Sequence, residues 1–313
     1  MELPEKATSP TMYFVGVTTA KSSIMKVFPL WAEYLGLKDA VLKGIDLKIH
    51  DDRQNYRKTV GFIKNDPMSL GALVTTHKLD IFDSAGDMFE YLDPFAERFG
   101  ELSSISKKDG RLQGHAKDFI SCGLAMEAFI PEGHWRQGGE VFIMGAGGSA
   151  LAITTWLTSP ERGADRPSVI TLSNRSPQRL EEAEHKLTGT TGETVMKYVH
   201  CPLPEDNDRI LGALPDQSLV INATGLGKDR PGSPLSGKEP FPTDSLVWEL
   251  NYRGDLLFMK QALEQADDRN LIVEDGWIYF IHGWTQVIAQ VFNIDLSAEM
   301  LRNCSELAKG CQI

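Results

Sequence analysis

The sequence predicts a two-domain α/β protein: an N-terminal α/β domain with a mainly parallel sheet, and a Rossmann domain for a dinucleotide. Three observations predict it. Apolar, strand-like segments alternate with amphipathic, helix-like ones through short turns, the pattern of a parallel sheet covered by helices. The run Val141-Phe142-Ile143-Met144-Gly145-Ala146-Gly147-Gly148-Ser149-Ala150 turns from an apolar strand through glycines into a helix former, as a bound pyrophosphate requires. Just before it, Pro131-Glu132-Gly133 and Gly138-Gly139 break the alternation and mark a domain boundary. Residues 12–122, completed by 276–313, are therefore assigned to the first domain, and 123–275 to the Rossmann domain.

The first eleven residues are polar, with Pro4 and Pro10, and read as a loose arm. Residues 12–17 read as a buried strand, 22–35 as an amphipathic helix, 42–47 as a strand, 53–65 as a helix and 70–75 as a strand. A helix over 119–129 precedes the boundary. After the glycine-bearing strand, further strands are expected at 168–172, 195–200, 218–222, 246–251 and 271–274. Beyond Gly276 the sequence is helix-like to its end, without a sixth Rossmann strand, so this tail is expected to return to the first domain.

Composition bounds the function. A length of 313 residues fits about two domains, and a net charge of −11 argues against nucleic acid or an anionic membrane as partner. No apolar run approaches the ~18–20 residues of a membrane span. The start, Met1-Glu2-Leu3-Pro4-Glu5-Lys6, lacks the charged-then-apolar order of a signal peptide, so a cytoplasmic protein acting on a small molecule is expected. Cys122, Cys201, Cys304 and Cys311 form no C-x-x-C and no metal-ligand spacing with histidine, so reduced thiols and no metal are expected. Monomer and homodimer both stay open.

Within the glycine loop, Gly145 permits the tight turn, Gly147 admits the pyrophosphate to the backbone, and Gly148 opens the helix; Ala146 and Ser149 complete the cradle. The strand at 168–172 ends in Ser173-Asn174-Arg175-Ser176, where a Rossmann domain reads the adenosine ribose. An acidic residue there would bind a free 2′-hydroxyl. This chain instead offers Arg175 and Arg179 with Asn174 and Ser176 as neutral donors, which favours a 2′-phosphate and hence NADP over NAD. The competing explanation is a glycine-rich surface turn with solvated arginines.

From about Val15 to Phe292 the chain resembles the shikimate dehydrogenase family, which includes quinate/shikimate dehydrogenases. Gly145 to Ala150 matches that family's Gly-Ala-Gly-Gly-x-Ala loop, and Asn174-Arg175-Ser176 its Asn-Arg-Thr/Ser clamp. Val220-Ile221-Asn222-Ala223-Thr224-Gly225-Leu226-Gly227 matches its Val-Ile-Asn-Ala-Thr-x-x-Gly segment, which places Asn222, Ala223, Thr224 and Gly225 at the nicotinamide side. Tyr252 falls on the tyrosine of Asp-x-x-Tyr, with Glu249 in place of the aspartate. The proline and threonine that follow it are missing, their places held by Gly254 and Leu257. Gly276 sits where the family begins its last helix beside the nicotinamide.

In the substrate half, the resemblance makes Lys78 and Asp118 the catalytic pair. Lys78 corresponds to the lysine of Asn-Val-Thr-x-Pro-x-Lys, in a loop one residue shorter, with Thr75 on its threonine; Asp118 corresponds to the aspartate of Gly-x-Asn-Thr-Asp. The recognition groups depart from the pattern. Leu73, Ser104 and Ala116 stand where the family has asparagines, and its serine pair for the substrate carboxylate is reduced to Ser22, the second position being Ile24. Lys117 replaces a threonine and offers either an anion contact or a solvated charge. The family's glutamine on the last helix falls on Gly283, leaving His282 or Gln286 to take over its contact. Trp277, Phe280 and Trp284 read as core or as an apolar pocket wall, and His77 as a neighbour that could tune Lys78.

The chemistry explains the pair. Hydride transfer between a secondary alcohol and NADP moves a proton on and off the oxygen, and an ammonium can donate it during ketone reduction. Asp118 would orient the amine and hold a substrate hydroxyl. Without the resemblance, the same two residues read as a surface lysine after a strand and a helix-capping aspartate. The expectation is an NADP-dependent oxidoreductase, working in the crevice between domains, that interconverts a secondary alcohol on a cyclic polyol or hydroxy acid and its ketone. Shikimate itself is not the expected substrate. The alternatives are a genuine quinate/shikimate dehydrogenase reducing 3-dehydroshikimate, a dehydrogenase of the methylene-tetrahydrofolate kind, and a non-catalytic NADP-binding sensor.

Overall fold

The structure, a computed structural model, describes residues 3–37, 39–228 and 230–311. The chain forms two compact units, one from the residues up to Asp118 together with those from Ile281 onward, the other from Phe119–Phe280.

The first unit is built on a six-stranded sheet. In chain order it contains β1 (Thr11–Gly16), α1 (Ile24–Tyr34), β2 (Val41–Asp46), α2 (Arg53–Asn65), β3 (Ser69–Val74), α3 (Lys78–Ala85), β4 (Tyr91–Leu92), α4 (Pro94–Phe99), β5 (Ser104–Lys108) and β6 (Arg111–His115), with α5 (Asp118–Glu127) following. The strand order is β2-β1-β3-β5-β6-β4. β1 is an interior strand, paired in parallel with β2 and β3, and every one of its residues is buried, so it reads as a continuous apolar run without alternation. Tyr13, Val15, Ile45, Tyr56, Val60, Ala72, Val74 and Ile81 make its core. Helix α2 starts where Asp52 accepts the backbone N–H of Gln54 at 2.7 Å.

β5 runs antiparallel to both β3 and β6, an arrangement missing from the strand-helix alternation expected above. Its turn is Asp109-Gly110, with φ of 51° and 75°, the two positive values of a type I′ hairpin. Near the C-terminus, α12 (Ala298–Ala308) packs on α1, where Trp31 Nε1 donates to the Cys304 carbonyl at 2.7 Å and Asn303 Nδ2 to Tyr34 Oη at 2.7 Å.

The second unit holds β7 (Val141–Met144), α6 (Gly148–Leu157), β8 (Val169–Asn174), α7 (Pro177–Leu187), β9 (Val195–His200), α8 (Pro204–Leu211), β10 (Leu219–Asn222), β11 (Leu246–Glu249), α9 (Leu257–Leu263), α10 (Ala266–Arg269) and β12 (Ile272–Glu274); α11 (Trp277–Phe292) begins in it. All pairs in the sheet β12-β11-β10-β7-β8-β9 are parallel. Strand order reverses between β7 and β10, and ligands of such sheets bind outside the carboxyl ends of the strands at that point. The expectation that a sixth strand is lacking is corrected: β12, anticipated over 271–274, is itself the sixth, pairing Val273 with Val247 on the outer side of β11.

Candidate functional site

The glycine loop has the backbone its sequence demands. Gly145 sits at φ 123°, its N–H donates to the Ser173 carbonyl at 2.7 Å, and a β-carbon on it would lie 2.6 Å from the Ala223 carbonyl oxygen. Only glycine fits there. Gly145→Ala is accordingly expected to lower stability by about 2–3 kcal/mol, read by urea unfolding, through forced strain and a backbone clash. Around Gly147 nothing lies within 4 Å of where a β-carbon would be, so its backbone faces open space. The first helical bond of α6 is Leu151 N–H to the Gly147 carbonyl at 3.1 Å, so the N–H groups of Gly148, Ser149 and Ala150 have no acceptor within the helix. Loop, open space and orphan donors together fit a phosphate group, with Ala146 buried beneath and Ser149 on the first turn.

At the tip of β8, Asn174 and Ser176 shape the turn. The Asn174 side-chain oxygen accepts the Ser176 N–H at 2.9 Å, and Ser176 Oγ caps α7 by accepting the Arg179 N–H at 3.4 Å. Arg179 reaches Glu182 Oε2 at 2.9 Å on an exposed surface. Arg175 is exposed, and among the described residues no carboxylate pairs with its guanidinium.

The ends of β10 and β11 are joined by a buried polar network. Asn222 Nδ2 donates to Glu249 Oε2 at 2.8 Å, while the Asn222 oxygen accepts the backbone N–H and the hydroxyl of Thr224 at 3.1 and 2.7 Å. Ala223 donates to the Met144 carbonyl at 2.8 Å, and Thr224 and Gly225 lie exposed at the loop tip. Asn222 thus organises the loop with both ends of its amide. Gly276 abuts the Leu250 carbonyl so closely that a β-carbon could not fit, and Asp275 accepts the Trp277 N–H at 2.8 Å as α11 begins. Tyr252 packs on Phe280 and Trp277 with ring centroids 4.6 and 5.7 Å apart, and the Lys228 ammonium lies 5.5 Å from its ring centre. Trp277 and Phe280 stack on each other at 4.8 Å and are buried.

In the first unit, Lys78 and Asp118 are brought together across forty residues of sequence. Lys78 is the first residue of α3 and Asp118 the first of α5, and Lys78 Nζ donates to Asp118 Oδ2 in an ion pair whose side chains are 20% and 8% exposed. The shortened loop before Lys78 closes through a tight turn, His77 N–H to the Thr75 carbonyl at 2.5 Å, with Thr76 at φ 61°. A left-handed threonine is costly, by about 1–3 kcal/mol, so the rest of the fold must impose it. His77 is fully buried with Tyr56 Oη 3.3 Å from its Nδ1, and burial lowers its pKa below the usual histidine value.

The positions that depart from the family pattern are mostly apolar and inward. Leu73, Ala116 and Ile24 are buried, and Ser104 is fully buried on β5 between Leu73 and His115, its Oγ without a hydrogen-bond partner among the described residues. Ser22 is half-buried and its N–H closes a turn on the Thr19 carbonyl at 3.0 Å. Ser23, which the sequence did not single out, is fully buried with its Oγ likewise unpartnered. Lys117 is half-buried: burial lowers its ammonium pKa, the charge of Asp93 opposes that shift, and its N–H donates to Ser103 Oγ at 2.7 Å. His282 and Gln286 are half-buried one turn apart on α11, and burial holds the His282 pKa below the ordinary value. Trp284 packs edge-on to Phe14 at 4.8 Å as core. Among the described residues no cluster of three or more His, Cys, Asp or Glu could hold a metal ion, and no helix is long and apolar enough to cross a membrane.

No protein-family model matches the chain. Over 166 residues it is 28% identical to the shikimate dehydrogenase (NADP(+)) of Streptococcus thermophilus, a match covering 52% of this chain and 53% of that one. The chain thus spans about half the length of that curated relative. The chain is similar to shikimate dehydrogenases over part of its length. Solved structures repeat this fold end to end. A quinate dehydrogenase from Corynebacterium glutamicum superposes with a TM-score of 0.72 at 16% identity, covering 96% of this chain and 98% of that one. The 5-ketofructose reductase of a Gluconobacter strain superposes with a TM-score of 0.67 at 19% identity, covering 95% and 98%. These likenesses support the fold of the two units: a Rossmann unit, and a mainly parallel α/β unit that carries the Lys78–Asp118 pair.

Proposed function

We propose that this chain is a member of the shikimate dehydrogenase family, an NADP-dependent oxidoreductase that interconverts a secondary alcohol on a cyclic polyol or hydroxy acid and the corresponding ketone, with a substrate other than shikimate. The observation that carries the proposal is the Lys78–Asp118 ion pair, held at the heads of two helices in a half-buried setting. A binding-only protein has no physical need for a proton-transfer pair. The relative named above is an NADP(+) enzyme, and one structural neighbour is named for reducing a keto sugar.

When bound, the cofactor supplies or accepts the hydride. The protein's own residues do the rest. Gly145 to Ser149 and the N-terminus of α6 would receive the pyrophosphate, Arg175 and Arg179 the 2′-phosphate, and the loop 222–225 with Gly276 the nicotinamide end. During ketone reduction the Lys78 ammonium donates a proton to the developing alkoxide, and during alcohol oxidation the neutral amine accepts it. Asp118 fixes the amine and offers its second oxygen to a substrate hydroxyl. Thr75, Ser22, Ser104, Lys117, Tyr252 and one of His282 or Gln286 are the proposed substrate contacts.

The cofactor choice makes its own prediction. NADP is expected to bind at least ~10-fold tighter than NAD, because a 2′-phosphate gains charge-assisted hydrogen bonds that a hydroxyl cannot. Arg175→Ala should remove most of that difference, since Arg179 is already shared with Glu182. Equal affinity of the unaltered protein for both cofactors in calorimetry would overturn the assignment.

The whole proposal is tested by a panel of cyclic polyols, keto sugars and hydroxy acids, including quinate and shikimate, followed by NADPH absorbance. Turnover of one such alcohol or ketone is the expected result. Tight NADP binding with no turnover across the panel would favour the sensor instead.

A further inference from the structure

Glu249 closes β11 with its side chain wholly shielded from water, and a carboxylate in that position must find donors inside the protein. It finds three. Asn222 Nδ2 donates to Oε2 at 2.8 Å, and the backbone N–H and Nδ2 of Asn251 donate to Oε1 at 2.8 and 2.6 Å. The same two amides also reach the Leu226 carbonyl, at 3.2 Å from Asn222 and 3.0 Å from Asn251. With its NH₂ committed to Glu249, Asn222 turns its oxygen toward Thr224, whose Oγ1 in turn accepts the Leu226 N–H at 3.1 Å. The shape of the loop from Asn222 to Gly227 therefore depends on Glu249 being an acceptor at both oxygens. A protonated carboxyl must donate at one of them, where a donor already points.

We propose that Glu249 is a positioning residue whose ionised carboxylate clasps Asn222 and Asn251 and so holds the 222–227 loop in the shape that receives the cofactor. The last part rests on the cofactor site proposed above; the clasp does not.

The clasp should be sensitive to pH near neutrality. Burial pushes the Glu249 carboxyl up from its ordinary value to about 7, opposed by the hydrogen bonds from Asn251 and Asn222 and aided by the negative charge of Asp275. On the β10 side its neighbour is the neutral Asn222. On the β12 side lie Glu274, itself raised by burial, and then Asp275. The hydrogen bonds that hold the carboxylate come from the amides of Asn222 and Asn251. Because the folded-state pKa is raised, the stability contribution is complete below the usual carboxylate range and is lost as pH rises through about 7. The ionised clasp thus shapes the loop at some expense to global stability.

The experiment measures amide hydrogen exchange at Thr224 and Leu226, corrected for the intrinsic pH dependence of exchange, between pH 6 and 8. It uses wild type, Glu249→Gln and Glu249→Asp, with NADP affinity measured by calorimetry in parallel. Between pH 8 and pH 6 the ionised fraction of a group titrating near 7 falls about tenfold, and wild-type protection of both amides is expected to fall with it by about that factor. Glu249→Gln should show weak protection with no such slope, and Glu249→Asp should keep a slope. The 2′-phosphate of NADP titrates near pH ~6 by itself, so the difference between wild type and Glu249→Gln, rather than the raw slope, reports the clasp in the affinity data. Flat protection in wild type, or the same slope in Glu249→Gln, overturns the proposal. If Glu249→Gln does not fold, the wild-type and Glu249→Asp profiles decide alone. If NADP binds at no pH, the cofactor site is wrong and the loop-shaping role stands or falls on the exchange data.

Discussion

Lys78→Ala is expected to lower turnover of the best substrate by roughly 10²–10⁴-fold in both directions while leaving NADP affinity nearly unchanged, since losing a proton-transfer group costs about that much. The separation of effects follows from where the residue sits. Lys78 and its partner belong to the unit built from the N-terminal residues and the tail, whereas the glycine cradle and the Arg175 tip belong to the other. Alcohol oxidation should climb toward alkaline pH because it needs the neutral amine, and ketone reduction should weaken there because it needs the ammonium. Asp118→Asn is expected to impair turnover as well, through lost orientation of the amine and of a substrate hydroxyl. Thermal melts should accompany both variants, since removing Lys78 leaves the mostly buried Asp118 without its ion pair. Unchanged turnover in a folded Lys78→Ala protein would show that the pair is structural.

The parts of the fold that could be read from the sequence are those whose physics is local. The glycine run at 145–148 announces a backbone that no other residue allows, and φ 123° at Gly145 against the Ala223 carbonyl is what that run encodes. The parallel strands were legible as apolar runs because both faces of β1, β7 and β10 are buried. The β5–β6 hairpin escaped a reading organised around strand-helix alternation, although its Asp109-Gly110 turn is the strongest short-range hairpin signal a sequence carries. Its strands, Ser-Ile-Ser-Lys-Lys and Arg-Leu-Gln-Gly-His, are short and polar, so hydrophobic periodicity did not flag them.

For the site, individual residues were legible and their relations were not. Lys78 and Asp118 stand out only through the family resemblance, and nothing in either local sequence says that α3 and α5 begin side by side. The loop before Lys78 was legible as one residue short, but not that Thr76 would take a left-handed conformation to close it. Glu249 was noted as a substitution for aspartate. Its clasp on Asn222, 27 residues earlier, exists because β10 and β11 are neighbours in a parallel sheet, and strand adjacency is not written in either strand. Ser23 gave no signal at all, because a serine before a helix usually reads as a cap, and here no cap bond forms.

Shikimate is expected to be a very poor substrate, at least ~10³-fold below the best alcohol in kcat/KM, because several lost partners at about 1–3 kcal/mol each compound to that scale. The structure sharpens the reason. Ile24, where the family has its second carboxylate-binding serine, is fully buried and contributes to the core. Leu73 and Ala116, at two asparagine positions, are buried and have no side-chain donor to offer a ring hydroxyl. At the third, the buried Ser104 hydroxyl reaches one bond less far than an asparagine amide and supplies one donor in place of two. The remaining polar inventory, with Ser22, Lys117, His282 and Gln286 half-buried, suits a ligand whose anion and hydroxyls are placed differently. Kinetics with shikimate and with the best member of the polyol panel, at saturating NADP, make the comparison. Efficient shikimate oxidation, at ~10⁴ per molar per second or above, would mean that these four positions do not set specificity. Leu73→Asn combined with Ala116→Asn should then leave it unchanged; if they do set specificity, that pair should raise shikimate turnover while lowering turnover of the native substrate.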